Sequence, residues 1–159
     1  MMQEQKTATL MTIFSDVLAN LAFMFSDESD TDTQAGDLWL ETTIGYYEVG
    51  DGGISGKLYL LCPREFSILL AANLLGVNPE DDDAGQAAED AVKEFMNIVC
   101  GQLVTALHGT EDVFNLTIPK LKELPETPDF TDTDNPEIAV LSVEGHRVQL
   151  SYIPGDNDD

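Results

Sequence analysis

Residues 89–109 read EDAVKEFMNIVCGQLVTALHG, and their spacing predicts a long amphipathic helix that organises the rest of the chain. Asp90, Glu94 and Asn97 stand at relative positions 0, +4 and +7, which stacks them on one helical stripe. Val92, Phe95, Met96, Val99, Leu103, Ala106 and Leu107 gather on the opposite side, while Gly101, Thr105 and His108 continue the polar stripe. Glu94 and Asn97 therefore face outward from a helix held by a broad apolar face. A carboxylate and a carboxamide one turn apart can orient a water or hold a cation, but neither attacks a substrate. That chemistry fits a partner carrying its own reactive group.

Working outward, residues 8–25 read as a helix, with Leu10, Phe14, Val17, Leu18, Leu21 and Phe25 at three- and four-residue steps. Residues 38–49 and 54–62 read as strands around Gly50-Asp51-Gly52-Gly53, a hairpin signal. Pro63 opens a second helix and Gly76 closes it near Leu75. The long helix is expected over about 86–108. Phe114, Leu116 and Ile118 alternate as on a half-buried strand. Residues 138–143 and 147–153 flank Glu144-Gly145-His146 as a last hairpin, with Val148, Leu150 and Tyr152 on one face. Helices and antiparallel strands are grouped without regular alternation. The fold class is therefore α+β, an antiparallel sheet packed with the long motif-bearing helix and two further helices. One domain over 1–159 is expected, with acidic loops at about 26–37, 77–85 and 125–136 and an acidic tail at 154–159.

The 159 residues are 43% hydrophobic, enough for one sizeable core. No apolar run approaches the roughly 20 residues that span a bilayer, and the polar N-terminus lacks a secretory pattern. A cytoplasmic protein is the simplest expectation. Cys62 and Cys100 both sit in apolar settings and read as buried free thiols. Thirty acidic residues against seven basic ones leave a net charge of −23. Such a field repels nucleic acid and anionic membranes, so neither is an expected partner.

Other chemistries fit poorly. Asp30, Asp32 and Gln34, with Glu41 twelfth from Asp30, suggest a calcium loop, but Ala35 occupies the position where an EF-hand needs glycine. The following residues are also strand-like where an exiting helix is required. His108 and His146, with two apolar-set cysteines, supply no zinc set and read as ordinary surface or loop residues. No glycine-rich loop leads into a helix with lysine, and no Ser or Cys stands in a nucleophile setting. No metal site is expected, nor a cofactor of the chain's own.

The acid, amide and proline at Asp90, Glu94, Asn97 and Pro119 carry a resemblance to the CheC, CheX and FliY chemotaxis phosphatases. The flanks agree: Asn97-Ile98-Val99 leads to Gly101, then Thr105-Ala106-Leu107, and Ile118-Pro119 closes an apolar run. The likeness reaches upstream to Gly56-Lys57-Leu58-Tyr59-Leu60 and Leu74-Leu75-Gly76, covering about 44–153. Gln102 stands where this family usually has Asn. The N-terminal helix carries Asn20, but Val17 replaces the acid three places before it, so one site is expected, as in the CheX type.

The resemblance implies a phosphatase acting on the aspartyl-phosphate of a CheY-like response regulator, in chemotaxis or two-component signalling. Asn97 would position the attacking water, Glu94 would pair with the regulator's lysine, and the regulator would supply Mg²⁺. Asp90 would serve the early turns of its helix, where a carboxylate complements the dipole. A homodimer through the sheets is also implied. The competing reading is a non-catalytic module that binds a regulator or motor-switch component. In either case a chain at −23 must approach a partner bearing phosphate and an acidic pocket. Salt screens that repulsion beyond about 8–10 Å. The expected outcome is a dephosphorylation rate that climbs steeply with added salt, and a flat salt profile contradicts it.

Overall fold

The long helix read from residues 86–108 is the central element of the computed structural model, which describes residues 3–27, 38–125 and 138–155. In chain order, α1 (Gln3–Val17) runs into a π-helical turn (Leu18–Ala22) and the short strand β1 (Ser26–Asp27). A hairpin of β2 (Trp39–Glu48) and β3 (Ser55–Pro63) follows, then α2 (Arg64–Leu75) and α3 (Asp82–His108). β4 (Phe114–Leu116), β5 (Lys120–Leu124), β6 (Ile138–Val143) and β7 (His146–Pro154) complete the described chain. The architecture is α+β, with three α-helices and an antiparallel sheet.

Strand order is β1-β6-β7-β3-β2, and β4 and β5 share the far side of β2. Alternation decides which face is covered. Leu40, Thr42, Ile44 and Tyr46 of β2 are buried, as are Leu58, Leu60 and Cys62 of β3 and Val148, Leu150 and Tyr152 of β7. Apart from Thr42, they join Leu10, Phe14, Phe66, Val92, Phe95, Val99 and Leu103 in one core. The Phe14 and Phe95 rings meet edge to face at 5.2 Å, pinning α1 to α3. Cys62 and Cys100 are both buried free thiols, as expected.

Several boundaries differ from the expected ones, each for a physical reason. α1 begins at Gln3 because Gln and Lys favour helix, although these polar residues show no apolar periodicity. It ends early, in the π-turn, where Phe23 takes φ 54° and the Asn73 side-chain amide donates to the Ala22 carbonyl at 2.8 Å. Leu21 and Phe25 consequently lie outside the core, 42% and 65% exposed. α3 starts at Asp82, so part of the expected acidic loop at 77–85 is helical; Asp82 and Asp83 complement the dipole of its first turn. Gly76 closes α2 at φ 74°, a conformation that glycine adopts without strain.

The edge after α3 also departs from expectation. Tyr46 faces Leu116 and Thr43 faces Lys120, so one extra residue must be absorbed between them. Thr117 bridges the gap: its N–H donates to the Gly45 carbonyl and its hydroxyl accepts from the Gly45 N–H, both at 2.8 Å. Ile118 is extruded at the resulting bulge, 83% exposed, instead of facing inward. Pro119 sits beside it, having no N–H to give a ladder. The acidic stretches at 28–37 and 126–137, with Asp30, Asp32 and Gln34 of the calcium-like pattern, and the tail at 156–159 lie outside the described residues, while Glu41 of that pattern lies on β2.

His108 is not an ordinary surface residue. Its Nε2 shares a 2.8 Å hydrogen bond with the Tyr46 hydroxyl, which in turn bonds the Tyr152 hydroxyl at 2.7 Å. The ring stacks on Phe114 with centroids 5.2 Å apart. Gly56 leaves room for this arrangement, since a Cβ there would come within 2.8 Å of the Tyr46 oxygen. Burial, then the charge of Lys6, make His108 harder to protonate, against an opposing pull from Glu48. Burial does the same to His146 despite Glu65 and Glu144.

Two outcomes follow from the core. Phe95→Ala should cost about 3–5 kcal/mol of stability, read by urea denaturation, because it empties the α1–α3 contact. With both histidine pKa values depressed on folding, the unfolded chain takes up protons first as pH falls. Stability from this source is therefore complete above the ordinary histidine value of about 6.5 and declines below it. His108→Gln should reduce that decline in melting temperature between neutral and mildly acidic pH. An unchanged pH profile in the variant contradicts the assignment.

Candidate functional site

The site is built on α3, whose 27 residues extend about 40 Å at 1.5 Å per residue. Ala88, Val92, Phe95, Met96, Val99, Cys100, Leu103 and Val104 are buried along one side. Because Glu94 precedes Phe95 and Asn97 follows Met96, anchoring those two apolar neighbours fixes the direction of the polar pair. Asp90 and Glu94 are exposed and Asn97 is half-buried. The structure thus places all three on the solvent-side stripe expected from spacing. Neither the Glu94 nor the Asn97 side chain makes a hydrogen bond or ion pair with another described residue.

The stripe is less uniform than spacing indicates. Ala106, expected on the core side, is exposed, whereas Cys100 and Val104 are buried. His108 leaves the stripe to bond Tyr46, tying the helix end to the sheet. At that end the Gly109 N–H donates to the Thr105 carbonyl at 2.9 Å. Pro119 does not join Glu94 and Asn97 on the helix. It shapes the edge formed by β4 and β5, elements that pack against α3. On the N-terminal helix, Asn20 is exposed in the π-turn while Val17, three places before it, is buried in the core, so the acid–amide spacing of Glu94 and Asn97 is not repeated there.

What this arrangement can do follows from what it holds. The Cys100 thiol, one residue before Gly101, is pushed up to about 12 by burial, and burial also raises Cys62. Neither is a ready thiolate at neutral pH. Among the described residues no group of three or more His, Cys, Asp or Glu is placed to hold a metal ion. The outward pair is left with orientation and hydrogen bonding: an exposed carboxylate for a cationic group, and an amide that can donate and accept together.

Sequence reasoning missed the neighbourhood of this stripe. Ile13 of α1 and Gly101, Gln102, Thr105 and Ala106 of α3 line one open groove beside it. The available signal was the absence of acidic and basic residues from Thr7 to Ser15 and from Phe95 to Leu107. No helix among the described residues is long and apolar enough to cross a membrane.

Known structures share this arrangement of elements. A chemotaxis protein CheX from Desulfovibrio desulfuricans superposes with a TM-score of 0.67 at 15% identity, covering 94% of this chain and 99% of that one. CheX from Vibrio vulnificus gives 0.64 at 13% identity, over 94% and 99% of the two chains. A Borrelia burgdorferi CheX, solved as a CheX–CheY–BeF3–Mg²⁺ complex, gives 0.60 at 15% identity, over 92% and 96%. At these identities the likeness establishes the fold. No curated protein matches the chain. The family model described as chemotaxis phosphatase CheX matches residues 45–128, which include α3, Glu94, Asn97 and Pro119. That match covers more than half of the 159 residues, and on it the chain belongs to the CheX family of chemotaxis phosphatases.

Proposed function

We propose that this protein dephosphorylates the aspartyl-phosphate of a CheY-like response regulator, with Asn97 positioning the attacking water and Glu94 pairing with a lysine of the regulator. The observation that carries this reading is the outward placement of Glu94 and Asn97 on one stripe of a core-anchored helix. Membership of the CheX family and the Borrelia CheX–CheY complex support it.

The reaction asks little covalent chemistry of this chain. A water oxygen attacks phosphorus, the bond from phosphorus to the aspartyl oxygen breaks, and a carboxylate and inorganic phosphate result. The regulator brings the phosphoryl group, and its Mg²⁺ would neutralise charge developing on the phosphoryl oxygens. Asn97 would accept from the water through its carbonyl oxygen, or donate to it through its NH₂, and so hold it in line with the breaking bond. The half-buried setting restricts the amide, and restricting the water is what lowers the barrier. Glu94, one turn earlier and exposed, would set the register of docking through a charge-assisted hydrogen bond.

The test is the lifetime of a phosphorylated regulator from the same organism, followed with the native protein, Asn97→Ala and Glu94→Ala. Loss of the water-positioning amide should slow turnover on the order of 10²-fold, in line with removal of one transition-state donor. Glu94→Ala should chiefly raise the regulator concentration required. Binding that survives Asn97→Ala, with no turnover even by the native protein, would establish a non-catalytic binding module instead.

A further inference from the structure

Gly101 follows Asn97 by four residues on the same stripe, about 6 Å further along the helix axis. At that level α1 lies alongside α3, and Ile13, Gly101, Gln102, Thr105 and Ala106 line an open groove of ≈ 420 Å³. Its floor is open because residue 101 has no side chain: a Cβ built there meets no neighbouring atom within 4 Å. The Thr105 hydroxyl is turned back to the helix, donating to the Gly101 carbonyl at 3.3 Å. Ile13 and Ala106 add apolar walls.

Charge singles out this groove in a second way. The chain carries 30 acidic residues, yet no acidic or basic side chain occurs from Thr7 to Ser15 of α1 or from Phe95 to Leu107 of α3. Those two runs supply every residue lining the groove. Charged residues are depleted from the cores of protein interfaces, where desolvating them is costly. A phosphate-bearing partner is repelled by a surface at −23, but over these two runs it meets no carboxylate.

We propose that this groove is a docking and specificity site for the phosphorylated receiver domain, accepting an apolar side chain of the regulator close to its phosphoaspartate. Gly101 keeps the groove open. The inference rests on the phosphatase reading above and adds to it the surface that selects the regulator. Continuity with the Asn97 stripe assigns the occupant: a receiver that brings its phosphoryl group to Asn97 covers the next helical turn. A regulator with a small or charged residue at that position would dock poorly.

The test fills the groove without disturbing the fold. Gly101→Leu has open space for its side chain and replaces a poor helix former with a good one, so its melting temperature should not fall below native. Affinity for an Mg²⁺- and beryllofluoride-loaded receiver is measured for native protein, Gly101→Leu, Gly101→Ala and Asn97→Ala. The expected result is a loss of about 10-fold or more for Gly101→Leu, a smaller loss for Gly101→Ala, and near-native binding by Asn97→Ala. Native-like binding by a folded Gly101→Leu overturns the groove and leaves the role of Asn97 standing. Failure of the native protein to bind any loaded receiver from its organism overturns both readings. Equal loss with Gly101→Ala and Gly101→Leu also overturns the groove, because backbone rigidity and not filled volume would then set affinity.

Discussion

Burial of one side of α3 against the sheet is the constraint on which the other features rest. Phe95, Met96, Val99 and Leu103 share a core with Ile44, Tyr46, Leu58 and Leu60. Each fully buried aliphatic or aromatic side chain contributes about 1.5–3 kcal/mol relative to exposure. Turning the helix by one residue position, about 100°, would expose part of that set and bury Glu94 or Asn97 without partners. The packing therefore fixes the outward direction of the polar pair, which the proposed action on a second protein requires. Phe14 against Phe95 and His108 against Tyr46 then tie the helix to α1 and to the sheet.

The edge of the sheet shows a different form of control. β2 is paired along both sides, but its outer partner is split into β4 and β5. The split arises where Thr117 takes both Gly45 bonds and Ile118 and Pro119 leave the ladder. A bulge carrying proline interrupts the row of free backbone groups that would otherwise recruit another strand. It also lets β5 resume pairing, where Lys122 reaches the Glu41 carboxylate at 3.3 Å. That exposed ion pair contributes little stability. Its place on the edge is nevertheless one of the few where a basic side chain offsets the acidic surplus.

Electrostatics divide the molecule by function. The strongly acidic composition favours solubility and discourages contact with polyanions, yet the surface around the Asn97 stripe is built from uncharged α1 and α3 segments. On the reading proposed above, a receiver with phosphate, magnesium and lysine presents mixed charge to an uncharged surface bordered by the Asp90 and Glu94 carboxylates. The acidic surplus of the chain sets the general field, and the uncharged runs of α1 and α3 interrupt it.

Much was legible in the sequence. Heptad-like spacing gave α3 and its polar stripe, alternation gave β2, β3, β6 and β7, and Pro63 and Gly76 marked the ends of α2, because these signals are local. Glu94 and Asn97 could be named as an outward pair for the same reason: adjacent buried residues dictate where they face. Long-range contacts were not legible. The Tyr46–His108–Tyr152 chain joins residues distant in sequence, so His108 read as an ordinary polar residue until the sheet brought Tyr46 beneath it. β5 and the extrusion of Ile118 depend on register against β2, which no local pattern encodes. The groove at Gly101 exists only because Ile13 of another helix forms its second wall. Sequence alone determined the secondary elements and the direction of the motif residues, through periodicity and the cost of burying polar groups. Tertiary structure decided which elements meet, and with that the edge, the histidine tied to Tyr46 and the surface beside Asn97.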